Sequence, residues 1–285
     1  MNDNRKVTRS SSVSEGEQWS EVARLWNQLG PPLRPSNQDI AIVSGEVEAW
    51  MHENGAPCAL ILGVTPELYH LPWLPDTDLL AVDHTQGMIE VVWPGLPQAV
   101  ACAEWTNMPI PDRSRDIALC DGGIILLDYP RGHHELVREL ARIIRPGGLC
   151  ILRAFVPPKE REMPETVLQD LLKAKIANLN LLKLRLGMAM QQDPAEGTRL
   201  KDVWDTIHGV APDFNELASR TGWPLEHLLA INAYRDRTAS YHFLTVVQIR
   251  ELFCANPGGF SFKACRQPTY ELGERCPTIV FRRAV

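Results

Sequence analysis

The sequence lacks paired-cysteine motifs and long apolar runs. Its seven cysteines are odd in number and scattered, and no C-x-x-C motif occurs. This pattern is typical of free thiols in a reducing compartment rather than of a disulfide framework or a zinc cluster. No stretch approaches the roughly 20 apolar residues of a membrane span, and the polar residues 1–18 lack the apolar core of a signal peptide. We therefore expect a cytoplasmic protein with no metal site, no membrane segment and a disordered tail over residues 1–18.

Positive charge is also scarce. The 29 lysines and arginines are outnumbered by 35 aspartates and glutamates, which gives a net charge of −6 and a pI of about 5.8. A protein that coats nucleic acid would carry the opposite excess. The hydrophobic content of 45% is ordinary for a globular chain, and 285 residues suit one large domain with an insertion. Charge therefore favours a small molecule over nucleic acid as the partner, and leaves the oligomeric state open.

From residue 58 onwards, short apolar runs alternate with helix-like segments. The runs span residues 58–62, 79–82, 99–103, 117–120 and 149–154. The clearest helix covers 135–144, and two more strands, at 260–265 and 278–282, follow a helix over 246–253 that Thr245 caps. Such alternation predicts an α/β fold with a parallel sheet, and continuous apolar runs fit strands that are buried on both faces.

Two regions interrupt or precede this alternation. A helix is predicted over 19–29, and another from an N-cap at Ser36, with Asp39 as its capping partner, to about Trp50. After Pro157-Pro158 the pattern is helical to residue 240. One predicted helix there covers 165–190, although 179–190 also shows partial alternation, which leaves the end of this helix open. Another covers 198–208, and two more start at Asp213 and with Pro224 as the first helical residue. We expect N-terminal helices over 19–54, a core over 55–156 and 241–285, and a helical cap insertion over 157–240.

Glycines are missing where a nucleotide-binding turn normally has them. The run 59–62 ends at Gly63, after which Thr65 suits an N-cap and Pro66 the first helical position. The strand, the tight turn and the helix start are all present. A pyrophosphate requires the further glycines of G-x-G-x-x-G, which are absent, as is a P-loop lysine. The loop therefore favours a cofactor without phosphate, such as S-adenosylmethionine, with stiffness at Thr65-Pro66 in place of glycine freedom.

Acidic residues follow the next two runs. Asp83 stands 20 residues after Gly63, where a carboxylate of a βα unit accepts both ribose hydroxyls. Glu104 is placed to accept from an adenine amino group, and the backbone N–H of Trp105 to reach the ring. Together these residues predict an adenosine site at the carboxyl ends of the strands.

Four segments, in order and spacing, resemble class I S-adenosylmethionine-dependent methyltransferases. Gly63 matches the first glycine of the family's motif I. The post-I motif D-x-S-x-x-M is matched by DHTQGM at 83–88, with threonine in place of serine. The segment around G-D-A is matched loosely by AEWTNMPIPDRSRD at 103–116, and L-R-P-G-G by IRPGG at 144–148.

The resemblance covers residues 58–156, and extends to 241–285 as the family's last helix and two strands. Departures lie in motif I. Ile61 replaces its acid, and Thr65 and Glu67 replace the second and third glycines. The missing acid bears on the contact with the cofactor's amino group.

The resemblance implies a Rossmann-like, doubly wound sheet of about seven strands with the last strand antiparallel. It also implies S-adenosylmethionine as cofactor and methyl transfer by in-line attack on the sulfonium methyl. Asp83 would bind the ribose diol, Met88 would pack near the adenine, and Asp121 would lie near the amino group. The predicted cofactor-binding set is Gly63, Val64, Thr65, Asp83, His84, Met88, Glu104, Trp105 and Asp121. No catalytic residue is assigned, since such a transfer depends most on holding the reactants at near-attack distance.

Other interpretations remain open. The poor motif I fits a non-catalytic regulatory or interaction module of the same fold. Residues 215–235 resemble a helix-turn-helix, which would make such a module DNA-binding, although a helix pair covering the site is favoured. His133-His134 could supply a base, but the pair also suits the start of a helix. A dinucleotide oxidoreductase would also use an acid at the position of Asp83, but the glycines that bind a pyrophosphate are missing.

Overall fold

A computed structural model describes Trp26, residues 29–255 and residues 258–284. The expected disordered tail over 1–18 and most of the helix predicted over 19–29 lie outside the described residues. All seven cysteines are described, and each is a free thiol. No helix within the described ranges is long and apolar enough to cross a membrane.

The described strands form one seven-stranded sheet and one two-stranded sheet. They are β1 (Cys58–Leu62), β2 (Asp78–Asp83), β3 (Val100–Cys102), β4 (Arg115–Asp121), β5 (Ile144–Arg153), β6 (Thr198–Arg199), β7 (Ser240–Tyr241), β8 (Phe260–Arg266) and β9 (Thr278–Arg283). The large sheet has the order β3-β2-β1-β4-β5-β9-β8. Strands β1 to β5 pair in parallel, and β9 runs antiparallel between β5 and β8. The predicted Rossmann-like sheet of seven strands with an antiparallel last strand is confirmed.

The α-helices of the described residues flank or cover this sheet. They are α1 (Asn37–Asn54), α2 (Pro66–Tyr69), α3 (Gln86–Val92), α4 (Arg131–Ile143), α5 (Pro164–Leu172), α6 (Leu179–Met190), α7 (Leu200–Val210), α8 (Phe214–Thr221), α9 (Leu225–Leu229) and α10 (Val246–Cys254). Helices α4 and α10 contribute buried apolar side chains to the core on one face of the sheet. Helix α1 contributes to the core on the other face. Both faces are thus covered, as the continuous apolar strands require.

The predicted helix caps that frame the core are present. Ser36 caps α1, and Asp39 completes a capping box with it. Thr245 caps α10 in a capping box with Gln248. In each case two backbone N–H groups at the helix start receive a side-chain partner, which stops the helix from starting elsewhere.

The single helix predicted over 165–190 is wrong. Helix α5 ends at Leu172, and Ala174 has a left-handed φ of 52°, which interrupts the helix. Helix α6 then starts afresh, because the Asn178 side chain accepts the N–H of Leu181. Both helices bury apolar residues in the same hydrophobic cluster, apart from the core of the sheet. The spacing of apolar residues therefore stays helical across the break between the two helices.

Smaller corrections concern the rest of the helical region. Thr198 belongs to the short strand β6, which pairs with β7, and α7 starts two residues later than predicted. Asp213 caps α8 as expected. Pro224 is the N-cap of α9 and not its first helical residue. The division of the chain into N-terminal helices, core and cap remains a prediction.

The helix-turn-helix candidate has a short second helix. Gly222, with φ of 74°, ends α8 in the left-handed conformation. The following helix α9 has five residues, less than two turns, and continues into a 3₁₀ turn over Ala230–Tyr234. Such a helix offers little surface to a major groove, and the 3₁₀ turn faces the interior of the molecule.

Candidate functional site

A cleft lies at the carboxyl ends of the parallel strands. Strand β1 is flanked there by β2 and β4, the point where the strand order reverses and where open α/β sheets bind ligands. The cavity in this cleft has a volume of about 170 Å³. The sheet and its loops contribute Leu62, Gly63, Thr65, Asp83, His84, Met88, Trp105, Asp121, Gly122, Gly123, Ile125, Leu126 and Phe155. The N-terminal segment, the helical region and β7 contribute Trp26, Leu29, Leu33, Lys183, Ala230, Ala233, Tyr234 and Tyr241.

Gly63 ends the first strand in a conformation that other residues rarely adopt. Its φ is +90°. A Cβ atom on Gly63 would lie 3.7 Å from the Trp105 ring and 4.0 Å from Asp83 Oδ2. The missing side chain therefore leaves an open space between these two groups. After the turn, Thr65 is the N-cap of α2 through its backbone, and Pro66 is the first helical residue, so the predicted strand–turn–helix is confirmed.

Asp83 presents one carboxylate oxygen to this space. It is the last residue of β2 and only 7% exposed. Its Oδ1 accepts the backbone N–H of Thr85 at 2.8 Å, and His84 Nδ1 lies 3.8 Å from the same oxygen. No donor among the described residues bonds to Oδ2. Burial raises the pKa of the Asp83 carboxyl above its usual range, against the opposing effects of Thr85 and His84.

Trp105 forms the floor between two glycines. Its indole Nε1 donates to the Val82 carbonyl at 2.7 Å, which also accepts the Gly63 N–H at 2.8 Å. A Cβ on Gly123 would approach the Trp105 ring to 2.5 Å. The indole thus packs directly against the glycine turns that end β1 and β4, and its ring faces the cleft. The sequence predicted a ligand contact through the Trp105 backbone N–H and none through its ring.

Asp121 lines the cleft but is already paired. It forms an ion pair with Arg153, in which Nη2 lies 3.1 Å from Asp121 Oδ2 and Nε contacts Oδ1. Burial raises the pKa of Asp121, and Arg153 opposes that rise. Arg153 is 1% exposed, and it also donates to the Pro32 carbonyl at 2.8 Å. The arginine therefore neutralises Asp121 and holds the N-terminal segment against the end of the sheet.

Seven of the nine predicted residues line the cleft. They are Gly63, Thr65, Asp83, His84, Met88, Trp105 and Asp121. Val64 instead packs into a small apolar cluster with Met88. Glu104 is exposed and outside the lining, although its charge contributes to the raised pKa of Asp83. A cofactor contact by Val64 or Glu104 stays a prediction without support from their placement.

His133 does not reach the cleft. It is 3% exposed, and its Nδ1 lies 3.1 Å from the Asp128 carbonyl. Burial lowers its pKa to about 4. The ring thus belongs to the packing at the start of α4, which was the alternative to a catalytic base.

The sequence predicted that the helical region covers the site, but not which of its residues line the cleft. Lys183 lies in α6 with its ammonium 4.9 Å from the Tyr234 ring centre, and Tyr241 lines the same cleft. The two tyrosine rings meet edge to face at 6.1 Å. The available signal was a lone lysine inside the apolar stretch LNLLKLRLGMAM. A hydrophobic stretch with one charge is a recognisable anomaly, but its position over the sheet is decided by tertiary folding.

A Gly63→Ala variant tests the turn. We expect a loss of about 1–2 kcal/mol in the free energy of unfolding, because a Cβ disfavours the left-handed conformation. Urea denaturation measures this. Gly209→Ala is the matched control, since Gly209 lies on the exposed side of α7 with open space around it, and alanine there should stabilise by up to about 1 kcal/mol. Equal effects of the two variants would contradict the assigned strain at Gly63.

The segment that builds this site is similar in sequence to a known family. A family model described as a methyltransferase domain matches residues 62–152. The matched range runs from the end of β1 to the end of β5 and holds the glycine turn, Asp83, Trp105 and Asp121. No functionally curated protein matches the chain in sequence.

Solved structures agree with the fold. A Rhodobacter sphaeroides protein provisionally assigned to the zinc-dependent alcohol dehydrogenases is 14% identical, with a TM-score of 0.59, and the match covers 94% of this chain and 98% of that one. The CurJ carbon methyltransferase is 12% identical, with a TM-score of 0.53, and the match covers 93% of this chain and 61% of that one. At such identities these matches show the fold alone. Among the described residues no group of three or more His, Cys, Asp or Glu side chains is placed to hold a metal.

Proposed function

We propose that the protein uses S-adenosylmethionine to methylate a small-molecule acceptor held in the cleft, in keeping with the methyltransferase-domain match over residues 62–152. The observation that carries this proposal is the Asp83 carboxylate. It ends β2 beside the Gly63 turn, with one oxygen bonded to the Thr85 N–H and the other without a donor among the described residues.

The cleft suits the nucleoside part of the cofactor. The Asp83 carboxylate is a good acceptor for both hydroxyls of a ribose, and the space that a Gly63 Cβ would fill lies beside it. Met88 and the Trp105 ring supply apolar surface for a flat base. These residues would hold the adenosine, with Thr65 at the start of α2 as a further contact.

The amino-acid part of the cofactor has fewer evident partners. Asp121 stands at the end of β4, where a contact with the amino group was predicted, but Arg153 already engages both carboxylate oxygens. A shared carboxylate still accepts a further hydrogen bond. We therefore retain Asp121 as a contact, weaker than an unpaired acid would be.

Bound S-adenosylmethionine supplies a methyl carbon activated by the adjacent sulfonium. The protein's part is to hold an acceptor in line with that carbon and to exclude water. Trp26, Leu29, Leu33 and Phe155 give the cleft apolar walls, and the helical region covers it with Ala230, Ala233 and Tyr234. Such an enclosed space fits a small acceptor better than a polymer. A cytoplasmic location is proposed with it, in keeping with seven free thiols.

Calorimetric titration with S-adenosylhomocysteine tests the proposal. We expect saturable binding that Asp83→Asn weakens about 10- to 100-fold, since hydrogen bonds to a charged group are worth about 1.5–3 kcal/mol. Asp78→Asn is the matched control. Asp78 starts the same strand at the opposite edge of the sheet, with a side chain 60% exposed, so its loss should leave binding unchanged.

The second candidate is a non-catalytic module of the same fold. The replacement of the motif I acid by Ile61 and the Asp121–Arg153 pair favour it, since both remove free carboxylates from the cofactor's amino end. A well-folded protein that binds neither S-adenosylmethionine nor S-adenosylhomocysteine would support this alternative and overturn the enzyme.

A further inference from the structure

Lys183 is a cation in an apolar wall. Helix α6 is buried along almost its whole length, and Leu182 and Leu184 beside Lys183 are 0% and 2% exposed. Lys183 itself is 6% exposed and lines the cleft. Lysine is among the residues least often buried without a partner, so its charge needs an explanation.

The protein provides little compensation for this charge. Within the described ranges the Lys183 ammonium has no ion pair and no hydrogen bond, and it contacts the Tyr234 ring, whose centre lies 4.9 Å away. The two buried carboxylates of the cleft are engaged on the sheet side, Asp83 by Thr85 and Asp121 by Arg153. Burial alone lowers the pKa of Lys183 to about 8, with no carboxylate opposing the shift. A cation–π contact offsets only part of such a desolvation cost.

We infer that Lys183 is an anion-binding residue, which holds a negatively charged oxygen of a ligand at the helical side of the cleft. The inference rests on the proposed function and names the acceptor-side chemistry of that site. An anionic oxygen would complete the pairing that the protein leaves open, and the ammonium would gain a charge-assisted hydrogen bond in a place with little water. The Tyr234 and Tyr241 rings would pack beside it.

Two ligands could bring this oxygen. One is an acidic acceptor, such as a phenol, an enol or a carboxylic acid. The other is the cofactor, through the carboxylate of its amino-acid end. The chemistry at Lys183 is the same in both cases, and binding measurements separate them.

The experiment compares the wild type with Lys183→Met, which keeps the apolar stem and removes the charge. Three probes are titrated by calorimetry: S-adenosylhomocysteine, 5′-methylthioadenosine, which lacks the amino-acid end, and 4-nitrophenol, whose absorbance shows whether it is bound as phenolate. Lys173→Met, a lysine on the exposed surface beyond α5, controls for loss of net charge.

If the cofactor supplies the oxygen, Lys183→Met weakens S-adenosylhomocysteine about 10- to 100-fold and leaves methylthioadenosine unchanged. If the acceptor supplies it, both nucleosides bind as in the wild type, and 4-nitrophenolate binding falls by that factor. Equal binding of all three probes by wild type and variant overturns the inference. Failure of both nucleosides to bind the wild type overturns the proposed function instead, while the nitrophenol comparison still tests Lys183.

A wild-type measurement guards against a misfolded variant. Near pH 8, a bound anion should raise the pKa of Lys183, so binding should take up protons, which titrations in buffers of different ionisation enthalpy detect. Lys183→Gln serves as a second variant and should lose this uptake. Anion binding without uptake near pH 8 would contradict the role of Lys183.

Discussion

Replacing Arg153 by methionine is expected to destabilise the protein by about 3–5 kcal/mol, the usual cost of leaving a buried charge without its partner. Arg153 is 1% exposed. It pairs with Asp121, stands 4.0 Å from Asp39 and donates to the Pro32 carbonyl. The variant leaves the buried Asp121 carboxylate without its ion-pair partner, removes the cation beside Asp39 and removes the donor to the Pro32 carbonyl.

Urea denaturation at neutral pH measures this loss. Arg131→Met is the control, because Arg131 pairs with Asp128 at the surface with 78% of its side chain exposed, and such pairs contribute about 0–1 kcal/mol. Because burial raises the pKa of Asp121, its protonation at acid pH should shrink the difference between variant and wild type. A loss below about 1 kcal/mol, comparable to a surface pair, would mean that the Arg153 network contributes no net stability.

Replacing Lys183 by methionine is expected to have the opposite sign. Burial shifts the pKa of Lys183 from 10.5 to about 8. At roughly 1.4 kcal/mol per pKa unit, the buried charge destabilises the fold by about 3 kcal/mol. Removing the charge also removes the contact with the Tyr234 ring, which stabilises the fold by about 1 kcal/mol. Lys183→Met should therefore raise the free energy of unfolding by about 2–3 kcal/mol at pH 7.

The pH dependence of the gain distinguishes a charge effect from better packing. Below pH 8, Lys183 is protonated in both the folded and the unfolded chain, so the full cost is present. Between pH 8 and 10.5 the unfolded chain holds the proton while the folded chain releases it, so wild-type stability rises with pH relative to the variant. The advantage of Lys183→Met should fade over this range, as urea unfolding at several pH values shows. A variant less stable than the wild type at pH 7 would refute the assigned cost, and Lys173→Met should change stability by less than about 0.5 kcal/mol.

The two buried cations show why burial alone does not reveal a role. Arg153 is surrounded by acceptors and stabilises the fold by neutralising them. Lys183 faces apolar side chains and the cleft, and a cation kept there at a cost to stability is typical of a functional site. The two variants therefore separate structure from function. Arg153→Met should destabilise the fold, whereas Lys183→Met should stabilise the fold and weaken ligand binding.

The sequence alone was sufficient for the sheet and its ligand edge. Because buried parallel strands carry continuous apolar runs, the runs at 58–62 and 117–120 predict the strands β1 and β4. The Gly63 turn and Asp83 follow strand ends, and parallel strands bring their carboxyl ends to one edge of the sheet. Local rules also determined the Ser36 and Thr245 caps, because a cap depends on residues three positions apart.

Tertiary structure decided what the same residues do. The sequence places Asp121 at a strand end as an unpaired acid. Arg153 lies 32 positions further along the chain, and only the pairing of β4 with β5 brings the two side chains together. From the sequence, Lys183 is one charge in an apolar helix, and only the packing of α6 over the sheet places it in the wall of the cleft. Helix α6 begins after the left-handed Ala174 and the Asn178 cap, although the apolar spacing is helical across this point. Local chemistry thus sets strands, turns and caps, whereas the partners of buried charges depend on contacts between distant segments, which no local pattern records.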